Sequence, residues 1–142
     1  MAIETYVNFN GNCREAVEYY AEIFDTKEPE FMTFSEAPED PLFYLPEDTK
    51  NLIMHVGLEI EGSTVMFSDT LPDSPVTPGN NISLVVSIDD KERIETLFNR
   101  MKKEGKVEMK LQETFWSKCY GSLVDKFGIV WQFNHYDGTE MM

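Results

Sequence analysis

Residues 115–133 read FWSKCYGSLVDKFGIVWQF, and the way this stretch divides decides the fold. Apolar residues take alternate places on both sides of Asp125-Lys126-Phe127-Gly128, so two short strands meet at a polar turn ending in glycine. A similar strand begins earlier: GSTVMF at 62–67 falls on GIVWQF at 128–133 with an offset of 66. A helical pattern repeats as well. Adding 77 carries Val17, Tyr20, Ala21 and Phe24 onto Ile94, Leu97, Phe98 and Met101. Two matched segments in the same order are the mark of an internal repeat.

Working outward, the first helix is NCREAVEYYAEIF, whose apolar residues Cys13, Ala16, Val17, Tyr20, Ile23 and Phe24 share one face. Asn12 is its expected N-cap, with Glu15 completing a capping-box pattern. The second is DDKERIETLFNRMKKEG, striped by Ile94, Leu97, Phe98 and Met101. Asp89 with Glu92 repeats the capping pattern, Lys102 and Lys103 sit in the last turn, and Gly105 offers a stop. Helices are thus expected over 12–25 and 90–104.

Strands are expected near 3–9, 29–35, 52–60, 63–68, 81–88, 106–112, 118–124 and 129–135. In the third, Met54, Val56, Leu58 and Ile60 alternate with His55, Gly57, Glu59 and Glu61. Residues 36–50 and 69–80 are rich in Pro with acids, Ser or Gly, and read as loops. The acids Glu36, Glu39 and Asp40 read as a solvated loop, and Asp69 with the Gly-Asn turn at 79–81 as shaping the connector LPDSPVTPGNN. The predicted fold is α+β, a single domain over 1–142 built from two βαβββ modules, about 1–70 and 81–136, joined by 71–80.

Composition narrows the function. A chain of 142 residues that is 42% hydrophobic and 13% aromatic can bury a real core. Its net charge of −14, from 26 acids against 12 bases, repels nucleic acid and anionic membrane surfaces. Cys13 and Cys119 make neither a disulfide scaffold nor a closely spaced metal pair. The start MAIETYVNF lacks a basic region followed by an apolar run, and no stretch reaches the ~18 apolar residues of a membrane span. A soluble cytoplasmic protein is expected, with no nucleic-acid or membrane partner.

Taken together, YVNFNGNCREAVEYYAEIF, GSTVMFSD, PGNNISLVV and QETFWSKCYGSLVDKFGIVWQF resemble the PhnB-like branch of the vicinal oxygen chelate superfamily, which holds glyoxalases, bleomycin-resistance proteins and extradiol dioxygenases. The resemblance covers nearly the whole chain. It implies paired βαβββ modules whose sheets curl around a cavity, often completed by a homodimer. It also implies a divalent metal in catalytic members, held by His, Gln or Glu from the first and last strands of each module. Those places here are Tyr6, Met66, Ser83 and Gln132, with Thr5 next in register. Only Gln132 is an ordinary ligand; a thioether and a neutral hydroxyl do not suit a hard cation. The expectation is no metal and no cofactor, and hence loss of the electrophilic catalysis that the superfamily shares. Some PhnB-like proteins carry a 3-demethylubiquinone methyltransferase label, but no Gly-rich nucleotide loop supports a methyl-donor site here.

The candidate ligand-binding residues are His55, Trp116, Lys118, Tyr120, Ser122 and Gln132. His55 lies on the polar side of its strand, as a general base with an ordinary pKa of ~6.5 or, more plainly, as a hydrogen-bonded strand histidine. Phe115 and Trp116 either close over a pocket mouth or cover the core or a dimer seam. Lys118, Tyr120 and Ser122 alternate toward one face, where they would meet a carboxylate or carbonyl. Cys119 should point into the core. His135 should be exposed, and the methionines read as core.

Three functions compete. The first is a metal-independent small-molecule-binding protein, a sequestering or resistance protein, whose ligand is apolar or aromatic with a polar handle. The second is a lyase, isomerase or dioxygenase recruiting metal through His55, Gln132 and Glu4. The third is a structural dimer module without a ligand. The residues leave open whether catalysis occurs.

Overall fold

The computed structural model describes residues 3–38, 40 and 45–138. Glu39, part of the expected acidic loop, lies outside them. The chain forms two compact units, Met1–Thr77 and Pro78–Met142.

The first unit runs β1 (Thr5–Phe9), α1 (Cys13–Phe24), β2 (Met32–Thr33), β3 (Ile53–Ile60) and β4 (Ser63–Asp69). Its sheet has the order β1-β4-β3-β2, with β1 parallel to β4 and the other pairs antiparallel. The second unit repeats the plan with β5 (Ser83–Ile88), α2 (Lys91–Lys102), β6 (Lys106–Gln112), β7 (Tyr120–Val124) and β8 (Val130–His135). Its order is β5-β8-β7-β6, again with one parallel pair, β5 and β8. These are two four-stranded mixed sheets with a helix each, an α+β fold, and neither sheet closes on itself.

Each sheet buries the face turned to its helix. In the first unit, Val56, Leu58, Ile60, Val65 and Phe67 meet the buried stripe of α1. In the second, Leu123, Trp131 and Phe133 meet Ile94, Leu97, Phe98 and Met101. Burial of large apolar side chains is the main favourable term in such a core. Gly121 lets these parts approach closely, because a Cβ would sit 2.9 Å from Leu111 Cδ2, 3.0 Å from Phe98 Cε2 and 3.1 Å from the Met109 carbonyl oxygen.

The repeat is sharper than its sequence pattern, and it corrects the helix offset. Tyr20 stacks on Phe67 at 5.8 Å between ring centroids, and Phe98 meets Phe133 at 5.7 Å. Phe67 and Phe133 differ by 66, so Tyr20 corresponds to Phe98, an offset of 78 rather than 77. The buried residues of α1 fall largely in adjacent pairs, Ala16 with Val17, Tyr19 with Tyr20 and Ile23 with Phe24, so a one-residue slip leaves most apolar matches intact.

The helix caps also differ from expectation. Asn12 makes no side-chain cap bond. The N–H of Cys13 is instead held at 2.9 Å by Asp69 Oδ1, and Asp69 Oδ2 accepts from Ile53 N–H at 2.9 Å. Asp69 is buried and ties the start of α1 to the start of β3, a larger role than shaping the connector. In α2 the cap is Asp90, not Asp89, and it accepts from Arg93 N–H at 3.0 Å. The expected hairpin turn at 125–128 is present, with Gly128 at φ 89°. Buried Asp125 organises it by accepting from Phe127 N–H, Ile129 N–H and Trp131 Nε1–H at 2.8, 3.0 and 2.9 Å.

The strand expected over 29–35 shrinks to Met32–Thr33. Pro29 has no N–H for a ladder, and Glu28 and Glu30 flank it with like charge.

Candidate functional site

On each sheet, the face turned away from the helix carries the polar row. In the second unit Val85, Gln132 and Ser122 stand side by side across β5, β8 and β7, with Ser83 and Ser87 flanking Val85 and with Asn134 and Tyr120 paired. Strand alternation puts all of them opposite Trp131 and Phe133.

These side chains are wired together. Tyr120 donates from Oη to Gln132 Oε1 at 2.6 Å, and Gln132 Nε2 donates to Ser83 Oγ at 2.7 Å. Burial raises the Tyr120 pKa above its ordinary value of 10.0, which keeps the phenol protonated as a donor. With the Gln132 amide oxygen turned to Tyr120 and its nitrogen to Ser83, the bonds run in one direction, and Ser83 keeps its own hydroxyl proton to offer an acceptor. Trp116 packs edge-on against Tyr120 at 5.3 Å, and Phe115 packs on Trp116 at 4.9 Å while staying 94% exposed. The loop is held by Thr114 N–H to Ser117 O at 2.9 Å and Ser117 N–H to Thr114 Oγ1 at 3.1 Å.

Trp116, Tyr120 and Gln132 are thus brought together, and Ser122 lies next to Gln132 on the same face. Lys118 is not part of the cluster in the expected way, because its Nζ is bound to the Asp137 carboxylate. His55 lies in the other unit, where its Nδ1 meets Tyr6 Oη at 3.2 Å. Cys119 is buried, as expected, and its thiol pKa is raised by burial and by Glu95, against the pull of Lys91. His135 departs from expectation: its side chain is only 14% exposed, and Nε2 lies 3.2 Å from Asp89 Oδ1.

Two polar residues of this face escaped the sequence reading. Asn134 donates from Nδ2 to Ser87 Oγ at 3.0 Å, and its Oδ1 is buried with no partner among the described residues. Their signal was phase, since Asn134 alternates with Gln132 and Ser87 with Ser83. The first unit answers with Ser68 Oγ to Asn8 Oδ1 at 3.0 Å.

The register also moves one family-matched place. Tyr6 stands beside Met66, and the residue in that position beside Gln132 is Val85, not Ser83. Ser83, two residues back on the same face, is nonetheless the one that Gln132 reaches.

The family model described as 3-demethylubiquinone-9 3-methyltransferase matches residues 1–134. The chain belongs to this family. It is 31% identical over 140 residues to protein YjdN of Escherichia coli K12, covering 94% of this chain and 95% of that one. Among solved structures, protein PA1353 from Pseudomonas aeruginosa is 35% identical with a TM-score of 0.79, over 93% of this chain and 95% of that chain. A protein described as a putative 3-demethylubiquinone-9 3-methyltransferase, PhnB protein, from Bacillus cereus is 27% identical with a TM-score of 0.66, over 94% and 98%. The fold extends to a glyoxalase/bleomycin resistance protein/dioxygenase family enzyme from Burkholderia phytofirmans at 19% identity and a TM-score of 0.59, over 92% and 95%. The PhnB-like resemblance and its superfamily fold are therefore shown.

The residues of this PhnB-like chain do not fit the divalent ion used by catalytic members of the superfamily. Gln132 has its amide engaged at both ends, so a metal would compete with Tyr120 for Oε1. In the other unit, Met66 offers a thioether and Tyr6 a phenol already turned to His55. No group of three or more His, Cys, Asp or Glu suited to a metal occurs among the described residues. No helix among them is long and apolar enough to cross a membrane.

Proposed function

We propose that this chain is a small-molecule-binding protein of the PhnB-like type that works without a bound metal. The observation that carries the reading is the directed chain from Tyr120 through Gln132 to Ser83, beside the Trp116 ring. It uses the amide that a metal would need as a fixed hydrogen-bond relay. The relay ends in a donor, which suits a ligand carbonyl or carboxylate, and the indole edge suits an apolar or planar body. Ser122 and the protein's second polar row at Tyr6 and His55 are further binding positions in this reading. Lys118, tied to Asp137, contributes only if that ion pair opens.

The test combines two measurements on protein purified without chelator. Elemental analysis should find no stoichiometric metal, and native mass spectrometry or a fluorescence screen should find a small carbonyl or carboxylate compound that binds. Trp131 is buried, so a change in indole emission on binding should vanish in Trp116→Phe and persist in Trp131→Phe. Near-equimolar metal that disappears in Gln132→Ala would overturn the reading in favour of a metal-dependent lyase, isomerase or dioxygenase.

We further propose that the chain acts in the cytoplasm as a homodimer. Two buried free cysteines support the location, and the exposed Phe115 ring, held out on a braced turn, supports pairing. Light scattering at micromolar concentration that returned the chain mass of 16.4 kDa would refute the dimer.

A further inference from the structure

The second long strand of each sheet is edged differently in the two units. In the second unit β6 follows β7 to its end, pairing Met109 with Ser122 and Lys106 with Val124. The residues matching Ser122 and Val124 in the first unit are Gly57 and Glu59, through their partners Gln132 and Met66, Val130 and Thr64. There β2 pairs only with Ile53 and His55, and stops.

The hairpin Ile60–Ser63 turns through two residues with positive φ, Glu61 at 46° and Gly62 at 88°. In such a hairpin the residues flanking the turn exchange both backbone bonds, and every second residue beyond turns its N–H and C=O outward. Gly57 and Glu59 are outward residues, in step with His55, which β2 does reach. No backbone bond to a neighbouring strand is made on that side of Gly57 or Glu59 among the described residues.

This open edge forms one wall of a groove of about 440 Å³, and residues 25–30 form the other. Pro29 denies the opposite wall a ladder donor. Asp25, Glu28, Glu30 and Glu59 line the groove against the single cation Lys27.

We propose that the groove is a strand-addition site for an extended, basic peptide segment of a partner polypeptide. The segment pairs with Gly57 and Glu59 where β6 pairs with β7 in the other unit, and its cationic side chains meet the acidic rim. Backbone bonds supply affinity in this mode and side chains supply selectivity. The site shares no residue with the Tyr120–Gln132–Ser83 relay, so the two proposals fail independently.

The probe is a fluorescein-labelled peptide copying residues 106–112, KVEMKLQ, with the change E108K to complement the rim. Titrated with the full chain, it should show a saturable rise in anisotropy, and hydrogen exchange at the Gly57 and Glu59 amides should slow. The double variant Glu30→Lys with Glu59→Lys should bind roughly tenfold more weakly or worse, as expected for lost charge complementarity. The same peptide N-methylated on the pairing edge should not bind. Flat anisotropy would overturn the proposal. So would equal binding of the N-methylated peptide, which would mean that charge alone attracts it, or unchanged exchange at Gly57 and Glu59.

Discussion

In the first unit Tyr6 on β1 reaches His55 on β3 diagonally across the middle strand β4, which contributes Met66 beside Tyr6. In the second unit Tyr120 on β7 and Ser83 on β5 are joined through the middle strand β8, which contributes Gln132. The scaffold is the same, and three strands are bridged in both. A thioether in the middle leaves one bond of 3.2 Å, while an amide makes two bonds of 2.6 and 2.7 Å with a defined direction. The repeat therefore sets where polar groups stand, and the middle-strand residue decides whether they act as one unit.

The buried carboxylates teach the same lesson. Asp69 closes β4 and anchors two backbone N–H groups, whereas β8 ends at the matching place in His135, which turns to Asp89. The second unit puts its own buried carboxylate, Asp125, in the hairpin turn instead.

The largest effects should come from the part that the units share. Phe67→Ala and Phe133→Ala remove matched, fully buried rings, and each should cost about 3–5 kcal/mol in urea unfolding. A loss confined to one of them would break the equivalence of the two cores. Next come the anchors, which the units do not share. Asp69→Ala and Asp125→Ala strand buried N–H groups and should each cost ~2–4 kcal/mol, seen as a lower urea midpoint with an unchanged slope. If Asp125→Ala melted like the parent, the turn would not depend on its carboxylate.

The two phenols sharpen the contrast further. Tyr120→Phe should cost about 1 kcal/mol by breaking the relay at its start, and Tyr6→Phe, at an exposed position, should stay within about 0.5 kcal/mol. Equal losses would mean that the directed relay holds no more than the lone bond.

The last effect is absent at neutral pH and confined to the alkaline range. Burial, with Asp69 adding to it against Arg14, pushes the Cys13 thiol from 9.0 up to about 12. The unfolded thiol ionises first, so this contribution is complete below pH 9 and is lost as pH rises toward 12. Stability should decline over that window more steeply in the parent than in Cys13→Ala. At pH 8 both cysteines should alkylate slowly until the protein is unfolded, because both are buried.

Much of this was legible in the sequence. Period-two and period-3.6 patterns placed both helices and seven of the eight strands to within a few residues, because one-sided burial imprints itself on adjacent sequence. Tyr120, Ser122 and Gln132 were legible for the same reason, since alternation assigns them to one face, whereas Trp116 stands in the loop before β7, where no periodicity places it. The exception was β2, where Pro29 and its flanking acids outweighed a weak strand pattern.

The sequence by itself determined the order of elements, the repeat and the face on which each strand residue stands, since these follow from local periodicity. The tertiary structure alone decided what depends on contact between distant segments. It set the helix offset at 78 through the ring pairs, and chose Asp69 over Asn12 to hold the start of α1. It placed Val85 beside Gln132, turned Lys118 to Asp137, and joined Tyr6 to His55 across 49 residues of chain. A side chain's phase is written in its neighbours, but its partner is fixed only when remote strands come into register.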